Sequence, residues 1–129
     1  GRKGGGGRRL DPSPNHLTGR IFLLTSATNS SAAWQMAMVF REHNLATLVG
    51  QETGGNQKGI TAGALFFMRL PNTGIEVDVP LIGMDYAEAA KHPNAGIRPD
   101  ILVEPTLRQA RQGIDQEMQV VQKLIAAGK

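Results

Sequence analysis

The chain has 129 residues, 14 Lys and Arg against 11 Asp and Glu, and a pI near 9.7. Arg2, Lys3, Arg8 and Arg9 fall within the first nine residues; without them 10 basic side chains face 11 acidic ones, so the body is not basic and no nucleic-acid partner is expected. No apolar run approaches the roughly 20 residues of a membrane helix, the absence of cysteine removes disulfide and thiolate chemistry, and His16, His43 and His92 lack metal-ligand spacing.

Gly1 and Gly4–Gly7 share the basic stretch, so residues 1–17 read as a flexible Gly/Arg-rich head and leading segment, ending in the turn sequence Asp11-Pro12-Ser13-Pro14-Asn15. Residues 18–129 read as one globular α/β unit with an aliphatic core, aromatics being only 5%. The run Arg20–Ser26 predicts a strand buried on both faces. Ala33, Met36, Ala37 and Phe40 then fall at helical spacing, predicting an amphipathic helix over 32–44 capped by Ser30 or Ser31. Ala46–Gly50 predicts a second buried strand, which makes a βαβ unit with a parallel pair.

Gln51–Gly59 holds three glycines without periodicity and predicts a loop at the carboxyl end of the second strand, the edge where α/β sheets bind ligands. Ala64–Leu70 and Ile75–Val79 flank a Pro-Asn-Thr-Gly turn and predict a hairpin. Met84–Pro93 is expected to hold a helical turn, and Ile101–Val103 a short strand. Thr106–Gln109 is a capping box, and Leu107, Ala110, Ile114, Met118, Val121 and Ile125 trace the apolar stripe of one closing helix.

The run Leu24-Thr25-Ser26-Ala27-Thr28-Asn29-Ser30-Ser31-Ala32-Ala33 places small hydroxyl residues between a buried strand and a helix. A serine at such a junction has its hydroxyl at the sheet edge, beside the first helical N–H groups, which lack intrahelical partners and can stabilise an oxyanion. Ser and Asn in front of a helix are also ordinary caps, and spacing alone leaves both uses open.

Three segments taken together resemble the carboxyl-terminal processing peptidases, also called tail-specific or tricorn-type serine peptidases. They are Thr28–Ala33, Ala46–Gly55 and Gly96–Ile101, in the family's order and spanning about residues 18–104. The resemblance implies a ClpP/crotonase-like ββα superfold and hydrolysis of peptide or protein substrates through an acyl-enzyme, with no cofactor and no metal. Matched position by position, it implies Ser31 as nucleophile, the Ala32 N–H as an oxyanion donor, and Thr53, Gly54 and Gly55 as a substrate loop.

The family's base is less directly placed. Members of the Ser-Lys type carry a lysine where this chain has Asn56; Lys58 follows two residues later and is the base candidate within the chain. A lysine base must be deprotonated near neutral pH, which requires burial or cationic neighbours. Tricorn-like members use an upstream histidine, a branch that a Thr-Gly-Gly loop without the lysine at that position fits better. The acidic position of that branch falls on Pro93, with Glu88 nearby, and Trp34 stands where many members have an acidic residue, changing the wall of the site. His43 sits a helix length, roughly 18 Å, from Ser31, and His16 and His92 read as solvated.

The family's upstream Asp-x-Arg-x-Asn-x-Gly-Gly segment is not matched by Gly4–Gly7. Residues 18–129 therefore read as the carboxyl-terminal part of a catalytic domain, with the base at Lys58 or in a segment outside the chain, and with the domain's missing amino-terminal half or an oligomeric partner completing it. The competing expectation is a non-catalytic peptide-binding or assembly module of the same fold. Crotonase-like acyl-thioester chemistry shares the fold but has no supporting motif.

Overall fold

A computed structural model describes residues 11–128 apart from Pro12, Ala62, Ala87 and Glu88, so most of the head, and Glu88, lie outside the described residues. In chain order the elements are β1 (Phe22–Thr25), α1 (Ser31–Glu42), β2 (Thr47–Gly50), β3 (Gly59–Thr61), β4 (Leu65–Arg69), β5 (Glu76–Pro80) and β6 (Gly83–Asp85). A 3-10 turn (Ala89–Lys91), β7 (Ile101–Leu102), α2 (Leu107–Arg111) and α3 (Gln116–Ala126) follow.

The expected βαβ unit is present. β1 and β2 pair in parallel from Phe22–Thr47 to Thr25–Gly50, and β7 joins the far side of β2, giving a parallel sheet in the order β1-β2-β7. Side chains alternate along β2, so Leu48 and Val49 leave opposite faces, and both are fully buried. Leu48 joins Trp34 and Ala37 of α1 and Ile97 in one cluster. The second face is crossed by α3, which touches β1 and β2 and buries Val121.

Two helical stripes differ from expectation. In α1 the buried positions are Trp34 and Ala37, with Met38 and Phe40 packed beside them, whereas Met36 is 48% exposed. The closing helix is two helices. The Thr106 capping box forms as expected, but Gly113 at φ 68° ends α2 and Asp115 caps α3 by accepting from the Met118 N–H. The break resets the helical phase, so Leu107, Met118 and Ile125 face outward while Val121 is buried.

The hairpin forms as β4 and β5, antiparallel from Leu65–Pro80 to Arg69–Glu76, and every residue of both strands is exposed. The glycine-rich loop and the segment expected to hold only a helical turn also contribute β3 and β6, which pair antiparallel. Strands of three residues containing glycine carry no readable alternation. The foreseen helical turn is the one at Ala89–Lys91.

Candidate active site

The carboxyl ends of β1 and β2 are held side by side, which places the two loops that follow them in contact. Thr25 is buried; its hydroxyl donates to Gln51 O at 2.8 Å and its carbonyl accepts from the Gln51 N–H at 2.8 Å. Gly50 makes this closure possible, since at φ 131° a Cβ would stand 2.1 Å from Thr25 O.

The loop after β1 is a compact turn. Asn29 N–H donates to Ser26 O at 2.9 Å, the Asn29 carboxamide oxygen accepts from the Ser26 N–H at 2.6 Å, and Ser26 and Thr28 share a hydroxyl hydrogen bond. Ser30 occupies the N-cap position in extended backbone, yet its side chain caps nothing. Ser31, the first residue of α1, has φ 52°. Non-glycine residues in this left-handed region cost about 1–3 kcal/mol and concentrate at functional sites. The hydroxyl run is therefore not a helix cap: Asn29 shapes the turn, and a strained, exposed Ser31 is presented at the sheet edge. Among the described residues the Ser31 hydroxyl and the Ala32 N–H have no hydrogen-bond partner.

The second loop lies against the first. Gly54 N–H donates to Asn29 O at 3.0 Å, and a Cβ on Gly54 would stand 2.1 Å from Ala27 O, so only glycine fits between them. Thr53 is buried; its N–H donates to Ile97 O, and its hydroxyl accepts from the Ile97 N–H at 2.8 Å. Glu52 accepts from the Gly96 N–H, Gln57 donates to Gly96 O, and Asn56 donates to the Asn94 carboxamide at 2.7 Å. The third sequence segment thus braces the second. Within the same segment, Asp100 accepts from the Leu48 N–H at 2.8 Å and pairs with Arg41 at 2.6 Å.

Ser30, Ser31, Gly54, Gly55, Asn56 and β3 enclose a cleft of about 320 Å³. Gly54 and Gly55 of the expected substrate loop line it; Thr53 does not, its N–H and hydroxyl being bonded to Ile97. Lys58 is exposed and, with Met84 and Asp85, lines an adjoining cleft that shares Asn56 and β3 with the first. His16 and His43 are exposed, and none of the three histidines lines the cleft. Pro93 borders a further pocket with Arg41 and Arg98. A larger cleft, about 440 Å³, lies at the opposite, amino-terminal ends of β1 and β2, away from the serine.

Trp34 is not a wall of the site but its foundation. It is fully buried one helical turn after Ser31, stacks on Tyr86 at 4.9 Å, and carries Gly55 on its indole face. The stripe read from the sequence left Trp34 out, and the partner that brings it under the loop is a glycine, which carries no packing signal of its own.

Among the described residues no helix is long and apolar enough to cross a membrane, and no group of three or more His, Asp or Glu could hold a metal. No curated protein matches the chain significantly. The family model described as Peptidase family S41 matches residues 3–103, beginning ahead of the three motifs and taking in Gly4–Gly7. All three motif segments, the strained serine and the cleft beside it fall inside that span, and the chain belongs to peptidase family S41, the carboxyl-terminal processing proteases.

Proposed function

We propose that this chain carries the nucleophile of a serine endopeptidase, with Ser31 attacking a peptide carbonyl to form an acyl-enzyme. A base removes the hydroxyl proton as the C–O bond forms and returns it to the departing amine; water then hydrolyses the ester. The Ala32 N–H donates to the oxyanion, a contribution worth about 3–4 kcal/mol per donor in acyl transfer. Family membership supports a serine peptidase, and the observation that carries the assignment to this residue is the left-handed backbone of Ser31 at a strand-to-helix junction. The parallel βαβ unit is compatible with a ClpP/crotonase-type core, and on this reading residues 18–129 form the carboxyl-terminal part of the catalytic domain.

Among the described residues no histidine or lysine lines the cleft, so the base is assigned to residues outside those described, as in tricorn-like members. The alternative base is Lys58, reached by a movement of its exposed loop. The same absence favours a second reading, a peptide-binding module without turnover.

A fluorophosphonate probe applied to the longest natural form of the protein separates these readings. Labelling that disappears in Ser31→Ala and persists in Lys58→Met supports the leading one. Labelling lost in both variants, with fold retained, moves the base to Lys58. Equal labelling of wild type and Ser31→Ala removes Ser31 from the mechanism, and peptide binding with neither labelling nor cleavage establishes the binding module.

A further inference from the structure

The β4–β5 hairpin is the least supported part of the fold. Every residue of both strands is exposed, and no helix or other strand packs substantially against the pair. A two-stranded ribbon is only marginally stable in water by itself; further strands, or a helix on one face, are what hold it.

The hydrogen-bond phase shows which main-chain groups are left over. Leu81 N–H donates to Ala64 O and Leu70 N–H to Ile75 O, at the two ends of the register running from Leu65–Pro80 to Arg69–Glu76. In an antiparallel pair, bonded positions alternate with positions whose N–H and C=O groups point away from the partner. Phe66 and Met68 are therefore the bonded positions of β4, and Leu65, Phe67 and Arg69 direct theirs to its outer edge. On β5 the outer edge belongs to Glu76, Asp78 and Pro80. Among the described residues these outward groups have no partner.

The two edges are unlike. β5 is blunted by two carboxylates and by Pro80, which has no N–H to give, devices that keep an edge strand from pairing further. β4 has neither, and its run Leu65-Phe66-Phe67-Met68 is apolar up to Arg69. β4 is also its own complement. Antiparallel pairing of two copies about Phe67 sets Phe67 against Phe67, Phe66 against Met68 and Leu65 against Arg69. All the outward groups of β4 are then bonded, and no like charges are opposed. The same operation on β5 about Asp78 opposes two carboxylates and lacks the donor at Pro80.

We propose that a second copy of this chain covers the outer edge of β4, forming a two-fold dimer with a four-stranded sheet in the order β5-β4-β4-β5. An edge-to-edge contact through strands of five residues falls below the about 1,200 Å² of a stable interface, so the dimer is weak and reversible.

Sedimentation velocity of the full chain tests this. The expected result is a passage from monomer to dimer, and no further, with a midpoint of about 10–100 μM. Phe67→Lys, on an exposed side chain, opposes two cations at the two-fold axis and should weaken the dimer about tenfold. Phe67→Pro deletes an outward N–H that β5 does not use and should do the same, whereas Asp78→Pro makes the equivalent change on the β5 edge and should stay within about twofold. The chain has no cysteine, so single cysteines report the register. The two copies of residue 67 stand about 5.5 Å apart at Cα and the two copies of residue 78 about 14 Å. A short bismaleimide should therefore link Phe67→Cys into dimers and leave Asp78→Cys monomeric.

A monomer at about ten times the expected midpoint overturns the proposal, as does association unchanged in Phe67→Lys. Growth beyond the dimer that Asp78→Pro arrests replaces it with head-to-tail pairing of β4 on β5, and equal cross-linking of the two cysteine variants removes the register. Where circular dichroism shows that Phe67→Pro has not folded, Phe67→Lys and the cross-linking pattern decide.

Discussion

Gly55 lies against the indole of Trp34 so closely that a Cβ at position 55 would stand 2.2 Å from Trp34 Cδ1. The ring is fully buried between this loop, Tyr86 and the sheet, and cannot retreat without opening the cluster it shares with Ala37, Leu48 and Ile97. Gly55→Ala is expected to cost about 1–3 kcal/mol, the usual range for overpacking. Thermal unfolding followed by circular dichroism measures it. Trp34 is the only tryptophan, so the same variant should shift the emission maximum, and an unchanged melting curve and spectrum would mean that the contact is loose.

The backbone of Ser31 makes a prediction in which stability and chemistry part company. Serine and alanine pay the same steric cost at φ 52°, whereas glycine does not. Ser31→Gly should therefore be more stable than wild type by about 0.5–1 kcal/mol, and Ser31→Ala close to neutral. Urea unfolding of the three proteins decides it; a Ser31→Gly variant less stable than Ser31→Ala would show that the residue is not strained.

The parallel βαβ unit, the hairpin and the capping box at Thr106 were legible because each rests on a local signal of adequate length: an apolar run, a helical spacing, a turn tetrapeptide. The division of the closing helix was signalled by Gly113 and by Asp115 three residues before Met118, but the apolar stripe ran across the break and concealed it. β3 and β6 had no comparable signal, because three-residue strands take their order from each other. At the site, Ser31 and the glycine loop were readable, yet spacing left a cap and a nucleophile as alternatives. What argues against the cap is a single dihedral angle and the absence of a capping bond at Ser30, and neither is a property of residue type.

Thr53 and Ile97 join the second and third motif segments through a hydrogen bond that is wholly inside the protein. Thr53→Val keeps the shape and leaves the Ile97 N–H without its acceptor, which should cost about 1–3 kcal/mol. Thr53→Ser should cost less. If valine proves as stable as threonine in a denaturant titration, the hydroxyl does not brace the loop.

Asp100 has two roles of unequal weight. Its pairing with Arg41 is between side chains 44% and 39% exposed, a setting in which ion pairs contribute about 0–1 kcal/mol. Its second carboxylate oxygen accepts from the Leu48 N–H, at the buried strand β2. Asp100→Ala should therefore destabilise more than Arg41→Met, by about 1 kcal/mol or more, and added salt should reduce only the part shared with Arg41. Equal losses in the two variants would assign the whole effect to the ion pair.

The turn after β1, the glycine loop and the bracing segment are stitched together largely by main-chain groups: Gln51 to Thr25, Gly54 to Asn29, Thr53 to Ile97. Main-chain bonds do not depend on which side chain projects from the strand or loop, provided the few glycines remain. Such a frame lets the residues around the serine drift while the serine keeps its pose. Asn56, Pro93 and Trp34 can then depart from the family pattern without dismantling the main-chain frame that holds Ser31.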